Sequence, residues 1–92
     1  MDFSKQDSRR IRRDIRQVLL KIWDPIGIGD EPRAQDEYDS YIGGLYELLV
    51  GLHSDQEIEE YLWAIIKERI QVHPQKGATE ATVKALRSIS LE

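Results

Sequence analysis

Apolar residues recur at helical spacing from the first quarter of the chain onward. Ile11, Ile15, Val18, Leu19 and Ile22 fall at i, i+4, i+7, i+8 and i+11, one stripe of an amphipathic helix that ends near Trp23. Ser4 has the chemistry of its N-cap, with Asp7 three positions on as an imperfect capping-box partner. Pro25 disfavours helical geometry at Asp24, and Ile26-Gly27-Ile28-Gly29 alternates as a loop with two apolar teeth. A second stripe, Tyr38, Tyr41, Ile42, Leu45, Leu49 and Leu52, predicts a helix that begins between Pro32 and Asp36. Asp30, Glu31, Asp36 and Glu37 suit such a helix start through capping and the helix dipole. Gly43-Gly44 falls in the middle of this predicted helix, and each glycine costs about 1 kcal/mol relative to alanine. A continuous helix in close approach to a neighbour is favoured over a bend or a break into two short helices.

The segment Ser54-Asp55-Gln56-Glu57 is a capping box, in which serine and glutamate each satisfy an otherwise unpaired backbone donor. It predicts a third helix from Asp55, with Ile58, Tyr61, Leu62, Ile65, Ile66 and Arg69-Ile70 on one stripe and a stop near His73, before Pro74. Trp63 lies off that stripe. After a loop containing Gly77, Thr79 is placed to cap a short fourth helix that turns Val83, Leu86 and Ile89 or Ser90 inward. The connections are short, so neighbours should run antiparallel. The expected fold is all-α: a small up-and-down bundle of three longer helices plus a short C-terminal helix.

Ninety-two residues make one domain, residues 1–92, near the lower limit for a self-sufficient core, so most large apolar residues are needed for folding. The closing Leu91-Glu92 has the form of a vector scar and is given no role. No cysteine is present, which removes disulfides and thiol chemistry and suits a reducing cytosol. With short apolar runs and no apolar stretch at the N-terminus, neither a membrane span nor a secretory signal is expected, and the default location is cytoplasmic.

The net charge of −4 hides a division along the chain. Residues 1–22 carry seven Lys/Arg against three Asp/Glu, residues 23–60 one against eleven, and residues 61–92 five against three. Such segregation implies internal pairing of a basic helix with an acidic segment, or two surfaces of opposite charge.

The stretch Trp23-Asp24-Pro25 through Leu49, with Asp36-Glu37-Tyr38-Asp39 within it and Tyr61-Leu62-Trp63 following, resembles the YugE-like family of small helical proteins, known mainly as hypothetical proteins of bacilli. The likeness spans roughly Ile15 to Trp63. It implies an all-α fold and brings no established activity and no functional residues.

Candidate chemistry is sparse. Trp23, Asp24, Pro25 and Ile26 form a structural motif: the tryptophan ends a stripe, Asp24 suits an Asx-type turn, and Ile26 with Ile28 would seal the end of the bundle. The carboxylates Asp24, Asp30, Glu31, Asp36, Glu37 and Asp39 invite a metal or acid–base reading, yet they match neither a calcium-loop spacing nor a Glu-x-x-His pair. His53 and His73, both at predicted helix ends, are too few for zinc. GIGDEP is acidic where a phosphate would lie.

The run Arg9-Arg10-Ile11-Arg12-Arg13-Asp14-Ile15-Arg16 divides into flanks, Lys5, Arg9, Arg12 and Arg16 on one and Arg10 and Arg13 on the other. The acidic middle segment disfavours nucleic acid. The expected function is a non-enzymatic, cofactor-free interaction module. Asp30, Glu31, Asp36, Glu37, Tyr38, Asp39 and Trp63 would bind a basic protein partner, in one version a toxin domain neutralised by an immunity-type protein. The alternative is a divalent-cation site built from the Asp/Glu cluster of residues 30–39. Pattern and composition are compatible with a monomer or a homo-oligomer.

Overall fold

The computed structural model describes residues 5–70 and 76–91. The predicted cap Ser4 and the predicted helix stop at His73 lie outside them. Helix α1 covers Lys5–Val18 and continues as a wider π turn over Leu19–Trp23, closed by Asp24 N–H donating to Leu19 O at 2.8 Å. Two 3₁₀ turns, Pro32–Ala34 and Asp39–Tyr41, lead into α2 (Ile42–Val50). Helix α3 (Asp55–Ile65) also ends in a π turn, Ile66–Ile70, and α4 covers Lys76–Arg87.

The chain forms the expected small all-α bundle, with no strand among the described residues. Helix α1 packs on α2, α2 on α3, α3 on α4, and α4 returns to α1 and its π turn. Among the described residues, no helix is long and apolar enough to cross a membrane.

One core joins α1, α2, α3 and α4. Ile11, Ile15, Leu19, Leu20 and Trp23 enter it from α1 and its π turn, Ile42, Leu45 and Leu49 from α2, Ile58, Leu62, Ile65 and Ile66 from α3, and Val83 and Leu86 from α4. The first predicted stripe is right through Leu19 and then departs. Ile22 is 41% exposed, whereas Leu20 and Trp23 are buried. Two causes combine: the π turn takes more residues per turn than an α-helix, and this end of α1 is covered on a second face by α4.

The second predicted helix starts later than the pattern suggests. Residues 31–41 advance through i to i+3 bonds, Ala34 N–H to Glu31 O, Glu37 N–H to Ala34 O, Asp39 N–H to Asp36 O and Tyr41 N–H to Tyr38 O. Gly43-Gly44 therefore sits in the first turn of α2, not its middle, and leaves the helix unbroken. The expected close approach is present at Gly44. An added Cβ there would stand 2.3 Å from Tyr61 Oη and 2.6 Å from its Cζ, while at Gly43 the nearest atom is an Arg12 nitrogen at 4.0 Å. Tyr61 is held in that position by donating its hydroxyl to Tyr41 O at 3.2 Å.

Leu52, assigned to the apolar stripe by periodicity, is 78% exposed with φ +57°. It occupies the left-handed position that ends α2. Leu52 N–H donates to Leu49 O and His53 N–H to Leu48 O, the paired bonds of a Schellman motif, which usually employs glycine there. The capping box at Ser54 and Glu57 forms as expected. Glu57 also meets His53 Nδ1 at 2.7 Å; that bond and the Ser54 N–H hold its carboxyl below the usual range. Arg87 reaches across from α4 to Asp55 at 2.5 Å and to the His53 carbonyl, tying α4 to the start of α3.

Helix α4 is longer than predicted, twelve residues against nine in α2. Thr79 is not its cap: it lies buried inside the helix beside buried Thr82, whose hydroxyl donates to Ala78 O at 2.6 Å. A threonine able to return its hydroxyl to its own helix can line an interior that a helix-start reading leaves to solvent. Leu91, given no role from sequence, packs against the core as a partly buried residue.

The glycine pair yields opposed expectations. Gly44→Ala should lower unfolding stability by about 1–3 kcal/mol, because the Tyr61 ring must move, whereas Gly43→Ala should raise it by up to about 1 kcal/mol. Urea melts of the two variants check both signs. At the α2 terminus, Leu52→Gly should stabilise by about 1 kcal/mol through relief of the left-handed backbone, read as a higher urea midpoint at unchanged slope.

Candidate interaction surface

The loop after α1 is organised by one carboxylate. Asp24, itself at φ +28°, accepts Ile28 N–H on Oδ1 at 2.8 Å, Gly29 N–H on Oδ2 at 2.9 Å and the Tyr38 hydroxyl on Oδ1 at 2.8 Å. The Tyr38 hydroxyl in turn accepts Ile26 N–H at 3.3 Å. Burial works to raise the Asp24 pKa, but the bonds from Gly29, Tyr38, Ile28 and Gly27 outweigh it and hold the carboxyl below its ordinary value. Tyr38 is pushed the other way, well above the usual phenol range, by burial and by the carboxylate it serves.

Sequence chemistry explains the shape. Gly27 takes φ +69°, a conformation that side-chain-bearing residues rarely adopt. Gly29 is buried against the end of α1, where a Cβ would fall 2.1 Å from Leu20 O. Trp23 packs edge-on to Tyr38 at 5.4 Å and to Tyr41 at 6.2 Å between ring centres, so aromatic packing and the Asp24 bonds close the same turn. The Trp23 indole N–H is buried with no hydrogen-bond partner among the described residues. Beyond the turn, the Gly29 carbonyl accepts from Lys21 Nζ and Gln35 Nε2, both at 3.2 Å, and Gln35 also reaches Glu31 O at 2.9 Å.

The predicted partner-binding residues separate on this scaffold. Asp30, Glu31, Asp36 and Glu37 are exposed. Asp30 faces Lys21 at 3.6 Å, and Glu31 accepts the Arg33 N–H at 3.3 Å. Tyr38 is fully buried and does not serve as an aromatic anchor; its place in the stripe and its bond to Asp24 draw it inward. Asp39 is taken up by Arg16, whose Nε and Nη2 donate to its two oxygens at 2.9 and 2.5 Å. Trp63 is half-buried on α3 with its indole N–H 3.5 Å from Glu59, and no hydrogen bond or ring contact joins it to residues 30–39 among the described residues.

Within the structural motif, Trp23 is buried, Asp24 accepts the N–H groups of Ile28 and Gly29, and Pro25 is half-buried. Ile26, expected to seal the bundle, is 43% exposed instead, because its N–H is turned inward to Tyr38. Among the described residues, no three Asp, Glu or His side chains form a group that could hold a metal ion.

Two features escape the sequence pattern. Exposed Ile22 and Ile26 stand near the acidic segment in the chain. Arg9, Arg12, Arg13 and Arg16 line one cleft with Asp39 and Ile42, although the flank assignment separates Arg13 from the others. Their i, i+3, i+4, i+7 spacing was the available signal. No family model, curated protein or solved structure matches the chain.

A carboxylate whose folded pKa lies below its unfolded value stabilises the fold above the unfolded value, near about 4, and that contribution disappears as pH falls through the folded value. Asp24→Asn turns an amide donor or a weaker acceptor toward the Gly29 N–H, so it should cost about 1–3 kcal/mol at neutral pH. The difference between wild type and variant should shrink as pH is lowered below about 4, which paired urea melts from neutral to acidic pH measure.

Proposed function

We propose that this chain is a non-enzymatic interaction module of the bacterial cytoplasm that recognises a basic protein partner through Asp30, Glu31, Asp36 and Glu37. One observation carries the reading. These four carboxylates stand in solvent on a segment whose backbone is fixed from within by Asp24, Tyr38 and Gln35, and Lys21 is the one cation within ion-pair distance of them among the described residues. A surface already ordered before contact loses little conformational freedom on binding. Its charge steers a basic partner toward it and sets orientation.

The apolar contribution passes from Tyr38 to Ile22 and Ile26, the two large apolar side chains exposed around the same turn. A basic toxin domain neutralised in this way is one form the partner would take. Kinship with the YugE-like family is proposed on Trp23-Asp24-Pro25, Asp36-Glu37-Tyr38-Asp39 and Tyr61-Leu62-Trp63, and it adds no functional residue. The cation-site alternative has no specific support in the geometry, since Asp39 is bound to Arg16.

The Asp36→Lys/Glu37→Lys variant reverses the charge without touching a bond that orders the loop's side chains. In affinity capture from source-cell lysate, it should reduce recovery of a basic protein by about tenfold or more relative to wild type, with the melting temperature unchanged. Ile26→Ser should weaken recovery of the same protein. Equal recovery by wild type and the charge-reversed variant would overturn the reading.

A further inference from the structure

The arginine face of α1 carries a chemistry that the exposed carboxylates do not. Arg9, Arg12, Arg13 and Arg16 line a cleft of about 330 Å³ whose other walls are Asp39 and the buried side of Ile42. That volume is at the lower end of the range of about 300–1,000 Å³ found for small-molecule sites. Four guanidinium groups against one carboxylate leave the lining strongly positive in a chain whose net charge is −4.

Two of the four are already oriented. The Arg12 guanidinium lies over the Tyr46 ring at 4.4 Å, which fixes its plane while leaving its edge donors available. Arg16 grips both oxygens of Asp39, so the cleft already displays two-pronged binding of an oxyanion by one of its arginines. Arg9 and Arg13 are exposed; Arg9 has no ion pair among the described residues, and Arg13 has only Asp14 at 3.9 Å.

We infer that this cleft is a binding site for a small molecule bearing two or more phosphate-type negative charges. Positions i to i+7 on a helix span about 10 Å, so the donors form a ladder suited to an anion whose charge is spread over linked groups. Guanidinium forks match phosphate oxygens in geometry, and they remain charged at every physiological pH. A long polyanion fits less well. Its backbone would run past the cleft into the field of the acidic middle segment, whereas a small anion is bound within about one Debye length of the arginines.

The test is calorimetric titration of the full chain with inorganic pyrophosphate, with orthophosphate and duplex DNA as comparison ligands at matched ionic strength. Pyrophosphate should bind at a single saturable site, more tightly than orthophosphate. Arg9→Gln/Arg13→Gln should weaken that binding by about tenfold or more, since each lost charge-assisted bond is expected to be worth that order. These exposed residues can be changed without loss of the Arg16 bond to Asp39, and circular dichroism confirms that the variant is folded. Arg33→Gln, which removes an exposed arginine outside the cleft, should leave affinity unchanged. Absence of saturable binding, an equal loss in Arg33→Gln, or tighter binding of DNA than of pyrophosphate would each overturn the proposal.

Discussion

The carboxylate of Asp24 is the point on which the first half of the fold turns. A helix that ends in a widened turn and then reverses must leave backbone N–H groups without helical partners, and inside a small core each costs free energy if left unpaired. Asp24 answers two of them, from Ile28 and Gly29, and accepts the Tyr38 hydroxyl as well. Tyr38 can then be buried with its one polar atom satisfied, and its ring forms the wall on which Trp23 packs. A single acid thus couples the end of α1 to the approach of α2 across fourteen residues of sequence. The same bonds make Asp24 a poor general base, since its oxygens are already engaged and its proton affinity is lowered.

How much of this is legible in the chain depends on whether the signal is local. The capping box at Ser54 and the stop imposed by Pro25 are rules of neighbouring residues, and both lead to the observed boundaries. The stripe of α1 is legible as far as Leu19 for the same reason. Its failure at Ile22 comes from a change in residues per turn and from cover by α4, more than fifty residues away in sequence, neither of which a fixed period contains. Thr79 is misjudged as a cap because its burial depends on the same long-range packing. Leu52 falls on the expected stripe by spacing alone, yet the helix has ended at Val50, two residues before it.

The candidate surface follows the same division. That the acids of residues 30–37 are exposed is what their composition suggests, and it needs no tertiary information. That Tyr38 is buried and Asp39 is paired could not be found from their neighbours, because each is claimed by a residue of α1 or its turn: Asp24 for the hydroxyl, Arg16 for the carboxylate. The charge segregation offered two outcomes, pairing or separate faces. Pairing occurs in part: Arg16 with Asp39 and Lys21 with Asp30 join the segments, while Asp36, Glu37, Arg9 and Arg13 stay exposed.

That partial pairing has a consequence for where recognition can reside. A fully paired set of charges would be consumed by the fold, whereas a fully unpaired set would be mobile and would lose side-chain freedom on every contact. Here some members of each group are fixed by the fold, Asp39 by Arg16 and Arg12 by the Tyr46 ring, and others such as Asp36, Glu37, Arg9 and Arg13 are exposed. Asp39 anchors the end of the acidic segment to α1, and Arg16 anchors the arginine face to the entry of α2. The residues most suggestive of reactive chemistry in the sequence, Trp23, Asp24 and Tyr38, are spent on building this frame. The recognition proposed above therefore rests on their neighbours: the exposed carboxylates of residues 30–37 and the exposed arginines of α1.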